Sequence, residues 1–511
     1  MNRSTGIRAL GLVLAVLLVP GCGLGDWWRN DMKLGPEYVL PEAAVSEAWI
    51  EGDEDRVLPA PSGHEEWWTV FEDPTLTALI DEACAQNLTL RQAGLRVLEA
   101  RATREIAFGN LFPQSQGAFG SWSRTRASNE IAEIPPDRSI DTNSLGVGAS
   151  WEIDVWGRFR RALESAEASL DASVYEYDSV LVCLVAQVAI AYADIRTFQQ
   201  RLAYAHASAD EQRESLELAE LRYDAGKTDI VSVHLARSSL DSLLADIPTY
   251  KIGLRQANNA LCTLLGRPPE DLLPDLGDGP IPSAPAEISV GIPADLLRRR
   301  PDVREAERQV AAQTAQIGVA ISDLYPSIAI DGQLTVESEH FNDLFKDSEG
   351  GFMGISFSWN LLNYGRIENN ILLQETITEE LIAVYQQTVL LANQEVEDDL
   401  VSFLMTQEQV EALSRALSEA QLALDLLVLM FKEGKIDFNP IFVMQSDVIR
   451  LQDALAAAEG GVATSLINLY KSLGGGWQLH EADGELPAEV AEEIILTTGA
   501  DVVNEEQHVE P

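Results

Sequence analysis

The residue types that carry out bond chemistry are present in this chain of 511 residues, but never at a working spacing. His64, His206, His234, His340, His480 and His508 are scattered, and no HExxH or Cys/His metal pattern occurs. Besides Cys22 there are Cys84, Cys183 and Cys262, without CxxC spacing and each in a helical apolar pattern. They read as buried free thiols and not as a disulfide framework. No GxSxG nucleophile turn exists, and Gly474-Gly475-Gly476 lacks the Lys-Ser/Thr of a phosphate loop, so it reads as a turn ending a helix. No enzyme, no cofactor and no metal site is expected. What is patterned in this chain is solvation.

Four short segments alternate apolar and polar residues one for one. Leu145, Val147, Ala149, Trp151, Ile153 and Val155 interleave with Gly146, Gly148, Ser150, Glu152 and Asp154. Met353, Ile355, Phe357, Trp359 and Leu361 interleave with Gly354, Ser356, Ser358 and Asn360; Ile328 to Val336 repeats the pattern, and Ser115 to Arg124 follows it least regularly. Period two gives one apolar and one wet face. Strands of about ten residues with a Gly/Ser/Asn-rich wet face have the length of transmembrane β-barrel strands. About eight strands are the fewest that close a barrel, and no open sheet edge survives in lipid. Four strands therefore have to be completed by other copies of the chain, which predicts an obligate oligomer around a shared pore. Trp151 and Trp359 read as lipid-facing or interface aromatics.

The segments between the strands read as helix. From Arg158 to Leu221 and from Arg366 to Met430 there is no proline, and Leu181, Leu184, Val185, Val188, Tyr192 and Ile195 recur at three- and four-residue steps. A helix of ~60 residues would span about 90 Å, several times a bilayer core, and an amphipathic helix of that length is stable only against neighbours in coiled-coil fashion. The helical pattern resumes after Asp224-Ala225-Gly226-Lys227 and after Lys432-Glu433-Gly434-Lys435, which predicts two helical hairpins turning at Gly226 and Gly434 with φ > 0.

The chain also repeats itself. Leu111-Phe112-Pro113 matches Leu324-Tyr325-Pro326; Ser150-Trp151 with Gly157-Arg158 matches Ser358-Trp359 with Gly365-Arg366, 208 residues on. Tyr223, Gly226 and Lys227 match Phe431, Gly434 and Lys435, and Leu265-Gly266 matches Leu473-Gly474, at the same offset of 208. Two copies of helix, strand, strand, helix, helix follow.

At the N-terminus Arg3 and Arg8 precede the apolar run Ala9 to Val19, too short to span a bilayer and so a signal peptide. Its end, Pro20-Gly21-Cys22, resembles the lipobox of bacterial lipoproteins, in which the Cys becomes the acylated first residue. Pro20 departs from the usual small or weakly apolar residue, and Val19 stands where Leu is common; Gly23 after the Cys implies the outer membrane. The formal net charge of -45 excludes a nucleic-acid binder. Acidic residues from Glu481 to Glu510 meet no Lys or Arg, and such a run reads as a solvated extension.

The ordered set Leu34-Gly35-Pro36, Trp67-Trp68 with Phe71 and Asp73-Pro74, Tyr223-x-x-Gly226, Leu265-Gly266-Arg267-Pro268, Leu296 to Val303, Asn363-Tyr364-Gly365-Arg366 and Leu469-Tyr470-Lys471 with Leu473 to Trp477 resembles the TolC-type outer membrane factors. It is closer to their lipoprotein branch, which serves resistance-nodulation-division drug efflux pumps and includes NodT-like proteins. The resemblance implies an α+β membrane protein: a homotrimer whose four strands per chain make a twelve-stranded barrel, continued by a coiled-coil-like tunnel of helices across the periplasm. It implies a passive exit duct for drugs or other small solutes, docked to a periplasmic adaptor and an inner membrane pump. Carried over residue by residue, adaptor contacts fall on Tyr223, Gly226, Lys227, Phe431, Gly434 and Lys435, and acylation falls on Cys22. The family's acidic entrance rings would fall on Pro440 and Val443, which are not acidic. Asp437, with Asp229 in the first copy, is the nearest candidate for the entrance constriction; the favoured reading of each is a helix N-cap, since Asp just before a returning helix is a preferred cap.

The expected organisation is a signal peptide at 1–21, a lipidated extended segment at 22–60, a first repeat at 61–272 and a linker at 273–293. A second repeat at 294–477 and a disordered acidic tail at 478–511 complete it. Strands are expected near 114–126, 143–156, 326–338 and 351–363. Two other readings use the same residues. One is the duct of a type I protein secretion system; the other is a structural periplasmic coiled-coil lipoprotein whose strands form a soluble β-domain.

Overall fold

The computed structural model describes residues 27–52, 54–58, 66–126, 139–295, 299–346 and 348–479. Cys22, the signal peptide and the acidic tail from 480 onward lie outside them. The fold is mostly helical, and the chain divides into two compact units. Of the described residues, one unit holds 27–41, 98–172 and 306–385; the other holds 42–97, 173–305 and 386–479.

The first unit contains a four-stranded sheet of β2 (Ser115–Arg126), β3 (Ser139–Ile153), β5 (Ser327–Ser338) and β6 (Glu349–Ser358), ordered β2-β3-β5-β6 and antiparallel throughout. The labels β1 (Val57–Leu58) and β4 (Ile288–Ser289) belong to a two-stranded parallel sheet in the second unit. The register settles the faces. Leu145, Val147, Trp151, Ile330, Leu334, Met353, Ile355 and Phe357 share one face. Ser121, Ser144, Ser150, Asp331, Thr335 and Ser356 share the other.

Two strands differ from their expected bounds. The second starts at Ser139 and ends at Ile153, leaving Val155 outside it; the fourth ends at Ser358, leaving Trp359 and Leu361 outside. The fourth strand stops where its partner does: Ser358 pairs with Ser327, the first residue of β5, and Pro326 before it has no amide to donate; just beyond, the Trp359 indole Nε1 donates to the Leu324 carbonyl at 2.9 Å. Trp151 makes the matching bond in the first copy, to the Leu111 carbonyl at 3.1 Å. The repeated Leu-Phe/Tyr-Pro and Ser-Trp motifs are thus two halves of one contact. In the same unit Arg161, buried, donates to the carbonyls of Leu34 and Gly35 and to Glu37 and Glu164. That is what Leu34-Gly35-Pro36 does: it lays its backbone against a charged buckle each of whose three nitrogens finds an acceptor.

Helices α1 (Pro74–Gln86) and α2 (Leu88–Gly109) precede the first hairpin of strands; α3 (Arg158–Asp224) and α4 (Ile230–Leu264) follow it. In the second copy α5 (Pro301–Ser322) precedes, and α6 (Arg366–Lys432) and α7 (Asn439–Ser472) follow. Helices α3 and α6 are both 67 residues long, about 100 Å each at 1.5 Å per residue. One stretch of α3 is apolar enough to cross a membrane, but 67% of it is buried inside the chain, as in a core helix.

In the second unit Val185, Val188, Tyr192, Ile195, Leu261, Leu400, Phe403 and Leu466 form fully buried helix faces. Asp73 caps α1, accepting from the Thr75 and Leu76 amides, and also receives the Tyr192 hydroxyl at 2.5 Å. Trp67 stacks on Tyr470 with ring centroids 5.4 Å apart, and Arg300 bonds the Ser472 carbonyl, Asp302 and Glu395. The thiols depart from the uniform burial expected of them: Cys262 is buried, Cys84 partly so and Cys183 exposed, because Cys183 lies on the outer face of α3, between inward Val182 and Leu184.

Candidate functional site

Two surfaces carry the pattern read from the sequence, one in each unit. In the first, β2 and β6 are each paired on one side only, so each presents a row of backbone donors and acceptors on the other. The apolar face is bare: Leu145, Val147, Leu334, Met353 and Phe357 are exposed and Ile355 is 77% exposed. The wet face is knit by short bonds. The Ser121 and Ser144 hydroxyls lie 2.8 Å apart, and Asp331 accepts from Ser150 and from Ser356 at 2.6 Å each. At the helix end of the sheet a cavity of about 420 Å³ is lined by Glu152, Arg158, Asp323, Ser327, Asn360 and Arg366. Arg158 lies 3.8 Å from Glu152 and 4.0 Å from Asp323. Its charges largely compensate one another, which makes it a solvated collar without a reactive group. Among the described residues no group of three His, Cys, Asp or Glu could hold a metal ion.

The second surface is the pair of helical turns after α3 and α6. Gly226 has φ 68 and Gly434 φ 77, and each closes a Schellman motif: Lys227 N donates to Arg222 O at 2.8 Å, and Lys435 N to Met430 O at 3.0 Å. Tyr223, Gly226, Lys227, Gly434 and Lys435 are exposed, with Lys435 paired to Glu433. Phe431 is not at the surface with them. At 2% exposure it joins Ala219, Val233, Ala236, Phe438 and Ile441 in a buried cluster, so it holds the turns together from inside and cannot touch a partner. Sequence reasoning missed Arg222, whose guanidinium lies 4.0 Å from the centre of the Phe431 ring and donates to the Phe431 carbonyl. The signal available was a cation in the last turn of a helix, where carbonyls lack partners.

The two aspartates part company. Asp229 is the N-cap of α4, accepting from Ser232 N at 3.1 Å. Asp437 caps nothing: α7 starts at Asn439, and its N-cap is Phe438, with no side-chain bond. Phe438 is drawn into the cluster against Phe431, ring centroids 5.7 Å apart, which moves the helix start one residue on from its counterpart in the first copy. Further along the second unit, burial pushes the Tyr250 hydroxyl up to about 12, helped by Asp453. Asp453 also takes a two-pronged bond from Arg201. Burial likewise raises the Asp194 carboxyl.

The family model described as outer membrane efflux protein matches residues 79–267 and again 292–475. The chain is 30% identical over 464 residues to nodulation protein T of Rhizobium leguminosarum bv. trifolii, covering 90% of this chain and 96% of that protein. It is 28% identical over 463 residues to the cation efflux system protein CusC of Escherichia coli, covering 87% and 96%. Among solved structures it is similar to the outer-membrane channel OprN, with TM-score 0.82 and 30% identity over 87% of this chain and 99% of that one. It is also similar to the open state of the MtrE outer membrane channel of Neisseria gonorrhoeae, with TM-score 0.76 and 26% identity over 87% and 98%. Three of these four are described as an efflux system protein or outer membrane channels. With one family model matched twice, once in each helix-strand-strand-helix-helix half, the chain belongs to the outer membrane efflux protein family.

Proposed function

We propose that three copies of this chain join their sheets edge to edge into a twelve-stranded barrel in the outer membrane, and that their helices continue it as a periplasmic duct. The observation that carries this reading is the four-stranded sheet with two unpaired edges and a bare apolar face. Such a sheet is unstable in lipid until its edges close, and unstable in water because its apolar face has no second layer. The soluble β-domain of a structural lipoprotein would need that layer. Closure by β6 of one copy on β2 of the next gives every backbone group a partner and puts the Ser/Gly/Asp face around water.

Function follows from the two ends. The duct passes drugs or other small solutes outward without bond chemistry, and an inner membrane pump, reached through a periplasmic adaptor, supplies the energy. Tyr223, Gly226, Lys227, Gly434 and Lys435 meet the adaptor, with Phe431 and Arg222 setting the shape of the turns. Asp437, free of a capping role, is the better placed of the two aspartates to line the entrance; Asp229 is held by its helix. Cys22 carries the acyl anchor, where several chains at roughly 0.8 kcal/mol per buried methylene hold the mature N-terminus to the membrane.

Purified in detergent, the protein should scatter as three chains and give stepwise ion conductance in planar bilayers. A monomer that stays soluble without detergent and conducts nothing would overturn the reading.

A further inference from the structure

Two aromatic residues depart from the division of the sheet into an apolar and a wet face. Phe119 on β2 and Phe352 on β6 stand on the wet face. The register sets Phe119 in one row with Gly146, Thr335 and Gly350, and Phe352 in the next with Gln333, Gly148 and Gly117. The rows are two residues apart, about 6.6 Å along the strands. Their other members are Gly, Thr and Gln, which give the rings little side chain to pack on. Phe119 is 40% exposed and Phe352 58%.

Sheet stability accounts for part of this. A Cβ at Gly146 would meet Phe119 Cζ at 2.6 Å, so the Phe119 ring lies across that glycine, a known way of covering a glycine with a cross-strand aromatic. Phe352 stands opposite Gln333 and is the more exposed of the two. A large aromatic turned to the wet face, on a sheet whose other wet-face strand residues include no aromatic, departs from the local rule without a structural return. Departures of that kind collect at functional positions.

We infer that Phe119 and Phe352 form an aromatic collar inside the barrel, six rings in three copies, which favours solutes carrying aromatic or other apolar groups. The inference rests on the barrel proposed above, in which the wet face lines the lumen. Threefold repetition puts three Phe119 rings at one height and three Phe352 rings at another. A twelve-stranded barrel lies between the roughly eight strands whose interior side chains fill and the sixteen or so that leave an open aqueous channel. Inward phenyl rings therefore reach a passing solute. Their faces attract other rings and organic cations, while the hydroxyls of Ser121, Ser144, Ser150 and Ser356 on the same face are already bonded to one another or to Asp331.

The test compares the wild-type pore with Phe352→Ser and with Phe119→Ser/Phe352→Ser in planar bilayers. Tetraphenylphosphonium is the probe, and tetraethylammonium is the control of equal charge without rings. Block by tetraphenylphosphonium should weaken at least about fivefold in the double variant and about twofold in Phe352→Ser. Conductance should rise, and the effect of tetraethylammonium should stay as it was. A double variant that forms the same pore with tetraphenylphosphonium block unchanged overturns the collar and leaves the barrel standing. If the double variant fails to assemble because Gly146 is uncovered, Phe352→Ser decides alone, and unchanged block there overturns the collar. A wild-type protein that makes no pore overturns the barrel and the collar with it.

Discussion

Arg222→Ala is the sharpest test of how the helical turns are held. The Arg222 guanidinium lies 4.0 Å from the Phe431 ring centre and donates to the Phe431 carbonyl. At a partly exposed site the cation-π contact is worth about 0.5–1 kcal/mol. The hydrogen bond adds about as much, less than a buried charged bond, because the same carbonyl also accepts from Gly434 N at 2.9 Å and so is not orphaned. Together they give about 1–2 kcal/mol, roughly a five- to thirtyfold larger opening equilibrium at the turns. The contact joins α3 to the end of α6, and the cluster behind it is small, so the loss should stay local. Hydrogen exchange of the detergent-purified protein reads it directly. Amides of 219–236 and 427–441 should exchange about tenfold faster, while those of the core around Val188 and Leu466 keep their rates. Arg222→Lys should recover about half the loss, keeping the charge but not the planar fork. Unchanged exchange at the turns, or acceleration spread evenly along the chain, would refute the clamp.

Three further outcomes are expected. Gly460→Ala should lower Tm although alanine is the better helix former by about 1 kcal/mol: its Cβ would meet Thr197 Oγ1 at 2.2 Å, an overpacking cost of about 1–3 kcal/mol, and adding Thr197→Ala should restore most of the loss. Asp194→Asn should raise Tm at pH 7. Burial raises this carboxyl above its usual value, so the charged form weakens the fold above that raised value; the gain from Asn should disappear as pH falls to the unfolded carboxyl's range, and a gain that persists there would contradict the cause given. Asp229→Ala should cost about 1 kcal/mol as a lost N-cap and Asp437→Ala close to nothing, read from thermal unfolding of the two variants side by side; equal losses would contradict the asymmetry between the turns.

Period two and the 208-residue offset made the four strands, the long helices and the glycine turns legible, because each rests on a residue's own neighbours along the chain. Strand ends were less so. Trp359 continues the alternation yet lies beyond β6, since the strand it would pair with begins only at Ser327, after Pro326, 32 residues away. The first strand looked irregular for a similar reason: Arg124 sits on the apolar face bonded to Asp141 on the next strand. The two-residue strands β1 and β4 carry no period at all and were invisible. At the turns, homology of position put Phe431 beside Tyr223 and Asp437 beside Asp229. Burial separated both pairs, because the second copy's Phe431 and Phe438 fill the space between the turns.

Pairing of β6 with β2 of another copy is the claim on which everything else depends. Gly117 on β2 and Gly354 on β6 face the same side, and a side chain added at either meets open space. In a background with Cys84 and Cys183 replaced, Gly117→Cys combined in turn with Gly350→Cys, Gly354→Cys and Ser358→Cys, which sample the positions along β6 that the stagger of a barrel could bring opposite, should in at least one pairing be joined by a short bismaleimide into covalent dimers and trimers on a denaturing gel, while each single variant stays largely monomeric. Trimer as the largest product supports the closed three-chain barrel. Double variants that all remain monomeric while both thiols of each react with maleimide would contradict it.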